Sequence, residues 1–191
     1  MSPDSDMQDL LMGFFGLFET PAKDGLVGGI LITDLRGVPQ EFRCTHPVRP
    51  TSVQKLLCGK TLEHHIGVSL CGEPLLQSVQ NKPSLILVNK EFLLDVRVNS
   101  YCPVAYAHRA GEAIEVRPTE GSDSRTKRER IIPSSGRFQP IIVDCHPEFG
   151  DDIVPAANTV ETVFTYFDPI EPFERMDKAI EVVGKQSKWF D

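Results

Sequence analysis

The chain has 191 residues, 40% of them apolar, with a net charge of −7 and five cysteines. That suffices for one globular domain with its own core. The acidic balance runs against nucleic-acid binding over the whole surface, which needs a basic footprint. The charge is also segregated: residues 144–191 hold 11 acidic and 4 basic side chains, whereas residues 1–143 are balanced at 16 and 16. An odd cysteine count with no CxxC pair points to free thiols in a reducing compartment rather than a disulfide framework. The N-terminus is acidic, with no basic stretch ahead of an apolar one, so no secretory signal is read and a cytoplasmic location is expected.

Leu10–Phe18 (LLMGFFGLF) is the first apolar run. Nine residues fall short of the roughly 20 that cross a bilayer. A buried short helix is expected here, with partner docking through Leu10, Phe14, Phe15 and Phe18, or shallow membrane contact, as the alternatives. A turn-rich link over residues 19–25 leads into the clearest pattern in the chain. Ile30–Ile32 reads as a buried strand, Asp34–Gly37 as a tight turn, and Val38–Thr45 alternates as a strand with one polar face. Together they predict a β-hairpin. Thr51 and Gln54 match a capping box, and the helix they open should bury Val53, Leu56 and Leu57 and then break or be covered on both faces near Gly59.

Pro74 suits a helix start, Ser84–Val88 a buried strand, Phe92–Val98 a short helix and Pro103–Ala107 another strand. That series predicts a compact βαβ-like crossover, with a hairpin across Asn89-Lys90 as the competing reading. Residues 110–137 carry six bases and three acids between Arg117 and Arg137, with little periodicity, and read as a flexible basic loop or insertion. Phe138–Asp144 returns to a strand. Asn158–Phe167 and a stretch opened by Pro172, with Met176, Ile180 and Val183 on one stripe, predict two C-terminal helices. The expected fold is a single small α/β (mixed α+β) domain with an N-terminal hairpin, a mixed sheet and flanking helices. The divisions are residues 1–25 (apolar segment and linker), 26–109 (core), 110–137 (basic loop) and 138–191 (closing strand and acidic helices).

Three constellations could carry chemistry. Cys44, His46, Cys145 and His146 each follow a predicted strand, and two such strand ends side by side would supply a tetrahedral zinc set. Asp34, Glu41 and Asp144 are strand-borne carboxylates of the kind that hold Mg²⁺ for phosphodiester cleavage. Asp34 and Glu41 with Arg43 distantly resemble a restriction-like nuclease pattern in which arginine replaces the usual lysine. The hairpin followed by a helix and further strands is similar to an RNase H-like topology. The basic run Arg125, Lys127, Arg128 and Arg130 could meet an acidic partner or a phosphate backbone, or fold back onto the acidic C-terminal region. Trp189-Phe190 closes the chain as a docked tail or an apolar hook.

No catalytic set is complete. The leading expectation is therefore a cytosolic, non-catalytic module without a cofactor, acting through a protein partner or self-association. Nucleic acid is disfavoured, with the basic loop as its one route. A metal-dependent hydrolase or nuclease is the alternative reading, and a structural zinc module the second.

Overall fold

The computed structural model describes residues 10–109, 127–134 and 136–189. They build one mixed α+β domain around a seven-stranded sheet of order β3-β2-β1-β4-β5-β7-β6. β1 (Leu11–Glu19), β2 (Leu26–Asp34) and β3 (Pro39–Cys44) form an antiparallel meander. β4 (Leu85–Val88) then runs parallel to β1, and β5 (Val104–Arg109) parallel to β4. β7 (Ile141–Cys145) lies antiparallel to β5, and β6 (Arg128–Ile131) closes the edge antiparallel to β7. The expected hairpin, the helix after it and the further strands are all present.

The Leu10–Phe18 run is the central strand, not a helix. A strand covered on both faces is apolar at every position rather than at alternate ones, which is what this run shows. Met12, Phe14 and Phe18 pack into the core on one face of the sheet, Phe15 and Leu17 into the core on the other. Phe14 and Phe15 are fully buried. Each such side chain contributes roughly 1.5–3 kcal/mol by staying out of water, so Phe14, Phe15 and Phe18 are core residues and not a partner-docking face. Residues 11–19 are thus continuous with the sheet they precede.

The hairpin forms as expected. Asp34 Oδ1 accepts the backbone N–H groups of Arg36 and Val38, both at 2.9 Å, and Gly37 closes the turn at φ 81°. The β4–β5 connection resolves to the crossover: the strands are parallel, linked through a 3₁₀ helix, Glu91–Asn99, that buries Leu93, Leu94 and Val96.

One layer covers each face. α1 (Ser52–Cys58) precedes one layer without packing into it, and α2 (Thr61–His65), a π-helical stretch (Ile66–Gly72) and α3 (Glu73–Ser78) lie with the 3₁₀ helix on that side. α4 (Ile153–Val163) and α5 (Glu171–Gln186) lie on the other, with Phe173 of α5 edge-on to Phe14 at 5.8 Å between centroids. The Thr51/Gln54 capping box is present. Its helix, however, buries nothing: Val53, Leu56 and Leu57 are 63%, 84% and 82% exposed. Gly59, at φ 52°, ends α1 before it reaches the sheet, so the apolar spacing there has no layer to face. Among the described residues no helix is long and apolar enough to cross a membrane.

Candidate functional site at the carboxyl ends of β1 and β4

β1 and β4 are parallel neighbours whose chains leave in opposite directions, β1 towards β2 and β4 towards β5. In an open sheet this reversal opens a crevice beyond the strand ends, where no connection crosses over. Asn89, the first residue after β4, seals the strands below it. Its Oδ1 accepts from Leu17 N at 3.1 Å and its Nδ2 donates to Leu17 O at 3.4 Å.

Beyond Asn89 lies a cleft of about 560 Å³ with Glu19 and Thr20 from the end of β1, Lys23 from the following turn, Lys90, and Glu174 and Asp177 from α5 among its lining. Glu174 and Asp177 stand three apart on a helix and so share a face. Lys90 is ion-paired with Glu63 at its back. Among the described residues, Glu19, Glu174, Asp177 and Lys23 take no ion pair. Three open carboxylates and two lysines therefore border one cleft at the switch point. The sequence reading missed all five.

The carboxylates that the sequence singled out do not meet. β2 and β7 are four strand spacings apart, about 19 Å, so Asp34 and Asp144 share no site, and Asp34 is spent on its turn. Glu41 accepts the N–H groups of Gln80 and Asn81 and pairs with Arg43 at 2.5 Å. Burial pushes its carboxyl up, but these donors outweigh that and hold it below the ordinary carboxylate value. Asp144 is buried between Arg128, which grips both its oxygens at 2.6 and 2.9 Å, and His108 at 3.2 Å.

The zinc set is likewise not assembled. Cys44 on β3 and Cys145 on β7 are five spacings apart, about 24 Å. Burial raises the pKa of both thiols, that of Cys145 to about 12 with help from Asp152 and Asp144, and the thiolate is the form that ligates. His46 packs on Trp189, centroids 5.0 Å apart. His146 instead joins a pair the sequence did not reveal: Asp95 lies between His64 Nε2 at 2.6 Å and His146 Nε2 at 3.4 Å. Each imidazole there faces a carboxylate oxygen rather than a common point. No group of three His, Cys, Asp or Glu among the described residues could hold a metal ion. Among the described residues, neither these sets nor the cleft brings together a donor set that fits a metal centre.

In the basic run, Lys127 reaches Asp151 at 3.2 Å and Arg128 reaches Asp144, both in the acidic C-terminal region; Arg130 lies on β6. Arg125 and Phe190 fall outside the described residues. Arg49 donates to the Trp189 carbonyl, tying down the end of the described chain.

No family model and no curated protein matches the sequence. Solved structures do match the fold. Endonuclease V from Bacillus subtilis is 12% identical, with a TM-score of 0.59, over 98% of this chain and 85% of its own. A Ciona intestinalis endonuclease V, in complex with an inosine-containing 24-mer DNA, gives 14% identity and a TM-score of 0.44 over 76% of each chain. Marinitoga piezophila Argonaute, in complex with guide RNA, gives 10% and 0.42 over 83% of this chain and 27% of its own. At these identities the likeness establishes the fold, and of the three it is the Bacillus subtilis protein on which that rests. The Bacillus subtilis match corrects the leading expectation: the fold is one shared with an endonuclease, not one that marks a non-catalytic module built for protein–protein contact. The disfavouring of nucleic acid as a partner is corrected with it.

Proposed function

We propose that the chain is a nuclease, hydrolysing phosphodiester bonds of nucleic acid at the cleft beyond β1 and β4. The observation that carries this reading is the set of unpaired carboxylates, Glu19, Glu174 and Asp177, beside Lys23 and Lys90 at the switch point. A nuclease-like fold over 98% of the chain supports it. In the hydrolysis, water adds to phosphorus, the P–O bond to one sugar oxygen breaks, and that oxygen leaves as an alcohol, taking its proton from solvent. A cleft carboxylate accepts the proton of the attacking water, and the lysines stabilise the charge that gathers on the phosphoryl oxygens. A cytoplasmic location belongs to the same proposal and is supported by five free cysteines.

The test incubates the full chain with labelled single- and double-stranded DNA and RNA, in parallel arms with Mg²⁺ and with chelator, and resolves the products. Cleavage by the wild type, falling about 100-fold or more in Glu19→Gln and Asp177→Asn, is the expected result. No cleavage of any substrate, or cleavage undiminished in both variants, would overturn it.

A further inference from the structure

A second recess lies on the other side of the β1–β2 turn, between that turn and the α1–α2 corner. It measures about 320 Å³, and Lys23, Lys55 and Lys60 all line it. Gly59, at φ 52°, turns the chain between α1 and α2 and so brings Lys55 and Lys60 to one opening from either side of the corner. Leu26, Leu62 and Ile66 give it apolar walls. Its acids are largely spoken for. Asp24 is held by Arg49 at 2.7 Å and Glu63 by Lys90, which leaves Glu19 alone against three lysines that take no ion pair among the described residues. In a chain of net charge −7, a recess with surplus positive charge and apolar walls is unusual, and it selects a ligand with an anionic end and a flat apolar body.

We propose that this recess is a nucleotide subsite: Lys23, Lys55 and Lys60 take the phosphate, and Leu26, Leu62 and Ile66 take the base. Its volume is that of a small-ligand site. Glu19 and Lys23 line both the recess and the cleft, so a strand with one nucleotide in the recess carries its next phosphodiester past the open carboxylates. The choice of a strand as occupant rests on the nuclease reading. The nucleotide chemistry of the recess does not, because a free nucleotide would satisfy the same contacts.

The experiment compares the full-length wild type with Lys55→Gln/Lys60→Gln, both exposed positions, and with Arg36→Gln/Lys82→Gln, a charge-matched control at the opposite end of the nine-residue β1. Binding of a labelled dodecathymidylate is read by anisotropy across salt concentrations, and binding of adenosine monophosphate by calorimetry. The recess variant should bind the strand about ten-fold more weakly at low salt, with the slope of log affinity against log salt shallower by about 1.4 and the control unmoved. Strand binding equal in wild type and recess variant would overturn the subsite and leave the nuclease reading standing. If the wild type binds no strand, the nuclease reading fails and the monophosphate decides: binding lost in the recess variant assigns the site to a free nucleotide, whereas no binding, or binding unchanged, overturns it.

Discussion

Asp144 and Glu19 are both carboxylates on strands of one sheet, and their surroundings are opposite. Asp144 is enclosed by an arginine and a histidine that use both its oxygens. Glu19 stands at a strand end beside two further carboxylates, with no ion pair among the described residues. Isolated in the sequence, Asp144 looks the stronger candidate, because it follows a clear buried run. The structure inverts that ranking. A carboxylate whose lone pairs are taken by neighbouring donors holds the fold together, whereas those left open where the sheet leaves a crevice are the ones free to meet a ligand.

That contrast breaks first if Asp144→Ala is harmless. The substitution leaves His108 buried and Arg128 without its partner, and losing one member of a buried pair costs about 3–5 kcal/mol. Arg128 is 44% exposed and can recover water, which puts the expected loss at about 3 kcal/mol. Denaturant midpoints would measure it, and a loss under about 0.5 kcal/mol would remove Asp144 from the structural class.

Glu41→Gln comes next. The neutral amide keeps the shape but gives up charge-assisted bonds to Gln80, Asn81 and Arg43, for about 1.5 kcal/mol at neutral pH. The sign of its pH dependence follows from the lowered carboxyl. A group bound more tightly as the anion in the folded state stabilises the protein above the unfolded value of about 4.5. That contribution is lost as pH falls through the lower folded value. The difference between wild type and Glu41→Gln should therefore shrink on acidification below about pH 4.5, and a difference that grows there would mean that the carboxyl is raised. Asp34→Ala, which removes two hydrogen bonds at an exposed turn, should cost about 1 kcal/mol.

How far the fold could be read follows the range of its interactions. The β2–β3 hairpin, the capping box and β4 are local: turn residues, cap spacing and β-branched runs decide them within a dozen positions. β1 was misread because a run buried on both faces has no periodicity to report, and the two glycines that weaken a helix say nothing of a sheet between two helical layers. For α1 the i, i+3, i+4 spacing is real, yet burial needs a facing surface, and Gly59 turns the chain away from one. The cleft was the least legible. Glu19 and Asp177 lie far apart in the chain with no shared motif, and only the placement of α5 against the end of β1 makes them neighbours. The one local signal was Glu174 with Asp177 on the polar side of a helix whose opposite stripe is Phe173, Met176 and Ile180. Any solvated helix face looks the same.

The sharpest separation between the two kinds of carboxylate is the smallest stability effect. Glu19→Gln removes one negative charge from a cleft that holds two others, breaks no ion pair and is nearly isosteric, so stability should stay within about 0.5 kcal/mol of wild type. Glu174 and Asp177 repel this charge while Lys23 and Lys90 in the cleft and Lys55 and Lys60 in the adjoining recess attract it, so the opposing contributions should leave little net shift at either ionic strength, exposed charges being screened over about 10 Å at 0.1 M salt. Thermal melts of wild type and variant at two salt concentrations test this directly. A clear destabilisation would mean that Glu19 is held by its neighbours much as Asp144 is, and the cleft would lose its first candidate base. Unchanged or raised stability together with lost cleavage would separate the two roles in one residue, since a group that contributes nothing to folding yet is needed for turnover must act on what the cleft binds.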